Sequence, residues 1–252
     1  MSVKSAERVL EIFELLTDFP NGLTIKEISD HLEMPQSSAF NIVKTLCNRG
    51  YLIQSSEKRY KLGAKLIHVG QSAMDSLDLS EVGTPYLLQL MNEVKETVFM
   101  AILSEEEKEL VYIAKIDNNR SIRTTAQLGF RKPLYCTGLG KAFLAFMPEE
   151  KKTRILDNTK FLPVTDKTIT DRLLLEKQLE SFRQLGHSID DEENEEGLFC
   201  LAAPVYGARN ELVAAISVAG PKERMLSRKD VIGAQLKSMA TEISRGLGNS
   251  GA

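Results

Sequence analysis

The strongest constraint on this chain lies in its first 62 residues, where three short helical patterns are followed by two short strand patterns. Val3 to Phe19 places Val9, Ile12, Phe13, Leu15 and Leu16 at helical spacing, and Pro20-Asn21-Gly22 ends the run. Thr24 precedes Glu27 by three residues, the capping-box spacing that satisfies free amides at a helix start, so a second helix is predicted over Ile25 to Leu32. Glu33-Met34-Pro35 breaks it. A third helix then starts at Gln36-Ser37-Ser38, with Ala39, Val43 and Leu46 on its inner face and Ile42 widening that stripe. After Arg49-Gly50, the segments Tyr51-Leu52-Ile53 and Arg59-Tyr60-Lys61-Leu62 read as a hairpin around a polar turn from Ser55 to Lys58.

Three helices closed by a hairpin make a winged helix-turn-helix, and the charge distribution bears on its use. The whole chain is slightly acidic, net −3 with a pI near 5.8, which does not by itself suggest a nucleic-acid partner. Residues 1–33, however, hold three cations against seven acids, whereas residues 34–66 hold Lys44, Arg49, Lys58, Arg59, Lys61 and Lys65 against Glu57 alone. The outer face of the third helix carries Ser37, Ser38, Asn41, Lys44, Thr45 and Asn48, with no acid among them, a surface that a major groove tolerates. Asn41 and Gln36 have side chains able to pair bidentately with adenine, and Phe40 can flank a thymine methyl. Lys58, Arg59 and Lys61 fall on the hairpin, with Lys58 and Arg59 expected at its tip against phosphate. On the residues alone, a three-helix scaffold with a merely solvated polar face is the competing reading.

Other classes are weakened by what the sequence holds. Cys47, Cys136 and Cys200 are odd in number and widely spaced, and with His31, His68 and His187 they draw no zinc-ligand spacing, so reduced thiols and no metal are expected. No apolar run approaches the ~20 residues of a membrane helix, and a cytoplasmic protein is expected.

Leu66, Val69, Ala73 and Leu77 then recur at helical steps, predicting a helix that leaves the hairpin. Beyond it the order alternates: a helix from Val82 to about Lys95, strands over Thr97–Leu103 and Glu109–Lys115, and a strand-like stretch after Arg120. Helices follow over Leu139–Phe146, Glu149–Leu156 and Asp171–Leu185. Strands over His187–Asp190, Leu198–Tyr206 and Leu212–Ala219 precede a last helix, Ser227 to Gly246, giving an α+β domain with a mainly antiparallel sheet. The segments around Cys200–Val205 and Val213–Ala219, rich in small apolar residues, read as paired central strands.

Thr137-Gly138-Leu139-Gly140-Lys141 stands between a strand-like segment and a helix, where glycines admit a ligand close to the backbone and a helix start favours an anion. It is no nucleotide loop, since Tyr135 and Ala142 stand where a glycine and a Ser or Thr are needed. Cys200 has no base tied to it in sequence, which argues against a nucleophile. The acidic run from Asp190 to Glu196 reads more readily as a solvated loop or helix start than as a divalent-metal site.

Taken together, Leu23-Thr24-Ile25-Lys26-Glu27-Ile28, Met34-Pro35-Gln36-Ser37-Ser38, Asn48-Arg49-Gly50-Tyr51-Leu52 and Tyr60-Lys61-Leu62-Gly63 resemble the IclR family of transcriptional regulators. So does Asp190-Asp191-Glu192-Glu193 before Gly197, and the resemblance spans essentially the whole chain. It implies a winged helix-turn-helix over 1–63, a linker helix over 64–80 and a GAF-like effector-binding domain over 81–252. The implied protein is no enzyme and has no cofactor: a repressor whose operator binding responds to a small organic acid, working as a homodimer or dimer of dimers on double-stranded DNA. The implied effector positions fall on Gly138, Leu139, Asp190, Cys200 and Ser217, with apolar lining from Leu128 and Leu134. Two departures stand out. Gln36 and Asn41 replace a Lys and an Arg common in the family, and Ala219 stands where several members have a second serine. The alternative is an α+β ligand-binding protein or enzyme whose N-terminal helices serve only for oligomerisation.

Overall fold

A computed structural model describes residues 3–69, 79–118 and 126–251, and the chain divides into two compact units, 1–77 and 78–252. The first unit holds α1 (Lys4–Asp18), α2 (Ile25–His31), α3 (Gln36–Asn48) and a hairpin of β1 (Leu52–Gln54) and β2 (Tyr60–Leu62). Its core is the set that the helical periods select: Ile12 and Leu16 from α1, Ile28 from α2, Ala39, Val43 and Leu46 from α3, and Leu52 from β1. Burial of each larger side chain contributes about 1.5–3 kcal/mol. The capping box at α2 is formed, Thr24 Oγ1 accepting from the Glu27 amide at 3.3 Å and Glu27 Oε2 accepting from the Thr24 amide at 2.7 Å. The hairpin is antiparallel, with Leu52 opposite Leu62, and Leu23 bridges to Tyr60, so the segment between α1 and α2 becomes a third edge of the wing.

Of the expected linker helix, residues 64–69 are helical, 70–78 lie outside the described residues, and 79–80 already belong to the next helix.

The second unit is an α+β layer structure. Its helices are α4 (Leu79–Val94), α5 (Gly138–Phe146), α6 (Glu149–Asp157), α7 (Arg172–Leu185), α8 (Lys222–Leu226) and α9 (Lys229–Gly246). Its strands are β3 (Thr97–Leu103), β4 (Glu109–Ile116), β5 (Arg131–Pro133), β6 (Ser188–Asp191), β7 (Leu198–Tyr206) and β8 (Leu212–Pro221), in the sheet order β5-β4-β3-β8-β7-β6 with every pairing antiparallel. β8 and β7 pair along their length, and β8 and β3 are the two central strands.

Because side chains alternate across a strand, each central strand feeds two cores. Val98, Met100, Leu201 and Ile216 point to one face, under α4 and α9, while Phe99, Ala101, Cys200, Ala202 and Ala215 point to the other, under α5 and α7. The small residues of β7 and β8 let these helices sit close. Two short elements, β5 and α8, lie beyond what the sequence pattern predicts, and the strand-like stretch after Arg120 falls on 119–125, outside the described residues.

Candidate functional sites

In the first unit, α3 turns its polar face outward. Gln36, Ser37, Phe40, Asn41, Lys44, Thr45 and Asn48 are exposed and Ser38 is half-buried. Pro35 starts the helix without a side-chain cap and without an acid in the first turn, so the partial positive charge of the helix start is unopposed. Phe40 is 47% exposed, unusual for a Phe on so small a unit, and the Lys44 ammonium lies 5.7 Å from its ring centre. The Thr45 hydroxyl donates to the Asn41 carbonyl at 2.8 Å, so only its lone pairs face outward.

On the hairpin, Lys58 is exposed and Lys61 half-buried. Arg59 departs from the expected tip position. Its Nη1 donates to the Gly22 carbonyl at 2.8 Å and to Glu27 Oε2 at 3.2 Å, while Nη2 donates to Glu27 Oε1 at 3.3 Å. Hydrogen bonds from Thr24 and the charge of Arg59 hold the Glu27 carboxyl below its ordinary pKa. The guanidinium is thus spent on fastening the hairpin to the start of α2.

The second unit contains a cavity of about 70 Å³ between the sheet and the start of α5. It brings together Gly138, Leu139, Asp190, Cys200 and Ser217 from four separate elements. Gly138 is required there, because a Cβ at that position would stand 2.7 Å from the Cys200 sulfur. Thr137 caps α5 by accepting from the Gly140 amide at 3.1 Å, which leaves the Gly138 and Leu139 amides without an intrahelical acceptor. The Ser217 hydroxyl, 1% exposed, lines the same space beside the weakly polar Cys200 thiol and has no oxygen or nitrogen partner, a costly condition for a buried polar group.

Leu128 and Leu134 do not line this cavity. Leu128 is 58% exposed. Leu134 is buried in the core, and its backbone underlies Gly140, where a Cβ would come within 2.3 Å of the Leu134 carbonyl oxygen. The walls come instead from Phe99 and Tyr112, whose rings are 5.0 Å apart, with Phe130, Lys132, Asn194 and Leu198 around them. The signal for Phe99 was indirect: it follows only from the register that sets Phe99 opposite Ser217.

Lys141, expected with the anion-binding turn, is completely buried on the far side of α5. Its ammonium donates to Gln178 Oε1 at 2.9 Å, to the Ile189 carbonyl at 3.1 Å and to the Glu193 carboxylate. The acidic run is a loop in which Glu195 and Glu196 are exposed, while its first half is tied into the fold. Glu193 is buried against Lys141, Glu192 pairs with Lys167 and Lys222, and the hydroxyls of Thr165 and Thr168 donate to the Glu192 and Glu193 carbonyls respectively, each at 2.7 Å. Lysine hydrogen bonds bring the Glu192 carboxyl down to about 2.

Burial pushes Asp190 up to about 7 despite the nearby Lys141 charge, and its Oδ1 accepts from the Glu193 amide at 2.8 Å. Burial also raises the Cys200 thiol well above its ordinary value and Cys136 to about 12, so both stay protonated and neither is an activated nucleophile.

The two units match two profiles of one family: its helix-turn-helix domain over residues 5–56 and the bacterial transcriptional regulator IclR C-terminal domain over residues 71–245. The chain belongs to the IclR family. It is 32% identical to the Escherichia coli (strain K12) transcriptional repressor IclR over 248 residues, 98% of this chain and 90% of that protein. Among solved structures it resembles Thermotoga maritima IclR, with 30% identity and a TM-score of 0.65 over 97% of this chain and 99% of that one. The Agobacterium tumefaciens repressor BlcR shares the fold at a TM-score of 0.86 and 23% identity, covering 98% of each chain. As an IclR-family member with the helix-turn-helix domain, the protein is a DNA-binding transcriptional regulator and not an enzyme. Among the described residues, no helix is long and apolar enough to cross a membrane.

Proposed function

We propose that this regulator reads its operator through α3 and releases or retains it according to the small organic acid held in the cavity of the second unit. Gln36, Ser37, Ser38, Phe40, Asn41, Lys44 and Thr45 meet the major groove, Asn41 and Gln36 pairing with adenine and Phe40 flanking a thymine methyl. Lys58 and Lys61 reach the adjacent phosphates. Two copies, alone or as a pair of dimers, place their α3 helices in successive major grooves of a pseudo-palindromic site. The protein acts in the cytoplasm and represses, a reading supported by the relative named as a transcriptional repressor.

The observation that carries the effector half is one combination at one cavity: the start of α5, where the Gly138 and Leu139 amides have no acceptor within the helix, beside the buried hydroxyl of Ser217. Two amides and a hydroxyl offer three donors to a carboxylate, and aromatic walls exclude large or strongly hydrated ligands. The ligand can shift DNA affinity only by the difference in its affinity for the two conformations of the protein.

A binding selection on random operator sequence tests the reading half. Asn41→Ala is expected to relax preference at one A·T position by ~1–3 kcal/mol, roughly 5- to 150-fold. An unchanged base preference would refute the role of Asn41. For the effector half, thermal-shift screening of small keto, hydroxy and aromatic acids is expected to find ligands that raise the melting temperature and move the DNA-binding curve. Acids that stabilise without moving that curve would sink the regulatory link.

A further inference from the structure

The cavity carries a carboxyl group of its own. Asp190 ends up 3% exposed opposite Cys200 in β7 and lines the cavity, its Oδ1 accepting from the Glu193 amide, with the Asn194 amide also turned on its carboxyl group. Its countercharge is committed elsewhere. The Lys141 ammonium, from α5, already serves Glu193, Gln178 and the Ile189 carbonyl. From β5, Lys132 contributes one half-buried cation to the lining, and exposed Glu195 of the β6–β7 loop contributes another acid. The remaining titratable groups near Asp190 are the Tyr112 phenol and the thiols of Cys136 and Cys200, all held protonated by burial.

The Lys141 ammonium acts on Asp190 through its charge but is bonded to Glu193, and among the described residues no salt bridge reaches Asp190 itself. A ligand carboxylate would bring a second anion into the same desolvated space. Two like charges in hydrogen-bond range of each other are strongly opposed in such a desolvated space. One proton removes that opposition and converts an acceptor into a donor.

Resting on the reading of this cavity as the effector site, we propose that Asp190 holds the effector in its protonated form, donating its hydrogen to the ligand carboxylate, so that one solvent proton is taken up with each anion bound. The burial that lifts Asp190 to about 7 means that the proton is readily supplied near neutral pH. Sensing then reports the acid and the pH jointly: affinity is highest in acid and falls as pH rises above 7.

Calorimetric titration of the full-length protein with pyruvate, lactate and benzoate, in phosphate and in Tris, reads the proton count directly. Near one proton per ligand is expected at about pH 8, close to none at about pH 6, with affinity falling up to ~10-fold per pH unit above 7. Asp190→Asn, which keeps an acceptor for the Glu193 amide and gains a donor, is expected to bind with pH-independent affinity and no proton uptake. Equal heats in the two buffers and a flat pH profile in the unaltered protein would mean that Lys132 or another group balances the anion. That overturns the proton coupling and leaves the effector reading intact. Absence of binding by any of the three acids to folded protein at either pH removes the effector reading for small acids, and this proposal with it. The unaltered protein alone decides the matter if the variant does not fold.

Discussion

The two ion pairs nearest the proposed recognition sites sit in opposite environments. Arg59–Glu27, in the first unit, leaves about a third of each side chain in solvent, 34% and 40%, and fastens the hairpin beside α2. Lys141–Glu193, behind the cavity, is shut away at 0% and 5% exposure. An exposed pair gains little and loses little, because water screens it whether or not it forms. A buried pair stands on a large desolvation cost, and either partner left alone pays that cost in full. The proposed DNA-reading face of α3 is likewise built from exposed groups that solvent already satisfies. Behind the cavity, by contrast, the pairing of Lys141 with Glu193 is fixed by the fold.

The sharpest break in this contrast is Lys141→Met. It strands Glu193 in the interior and is expected to lower unfolding free energy by about 3–5 kcal/mol in urea titration, most of it recovered in Lys141→Met/Glu193→Leu. A single variant that unfolds no more easily than the parent would show that water reaches the pair. Next in size is Gly138→Val, whose side chain has no room against the Cys200 sulfur and must push into the cavity. Acid binding is expected to weaken by ~100-fold or more, the equivalent of about 2.7 kcal/mol, with DNA affinity in the absence of acid retained. Binding unaffected by the added side chain would place the ligand elsewhere. The smallest effect separates two neighbouring cations. Lys58→Ala is expected to reduce the slope of log affinity against log salt by about one, and Arg59→Ala to leave that slope unchanged while lowering the melting temperature slightly. Equal slopes for the two variants would erase the distinction drawn between an outward lysine and an inward arginine.

The same contrast decides what was legible in the sequence. The inner stripe of α3 and the capping box of α2 are local, set by residues three or four apart, and the first unit follows the period closely. Arg59 turns inward toward a carboxylate 32 positions away, and no local pattern announces that contact. The α+β layering of the second unit was readable from alternating segments. Three-residue β5 and five-residue α8 are too short to show a period. Of the cavity positions, those on the glycine turn and the acidic run carry distinctive residue types. Phe99 and Tyr112 look like any strand residue until the sheet order brings β3 and β4 alongside β8. Leu128 and Leu134 were expected from resemblance alone, and Leu134 lies buried beneath Gly140 rather than among the walls of this cavity.

The contact between Gly138 and the Cys200 sulfur has a consequence for how such a sensor diversifies. Since a missing side chain on the helix makes room for a thiol on the sheet, the volume available to a guest is set by a two-residue exchange. Trimming Cys200 to alanine or glycine would enlarge the chamber and leave strand pairing, the buried ion pair and the DNA-reading helix untouched. New chemical tastes are then reachable one substitution at a time, without rebuilding the scaffold that reports them.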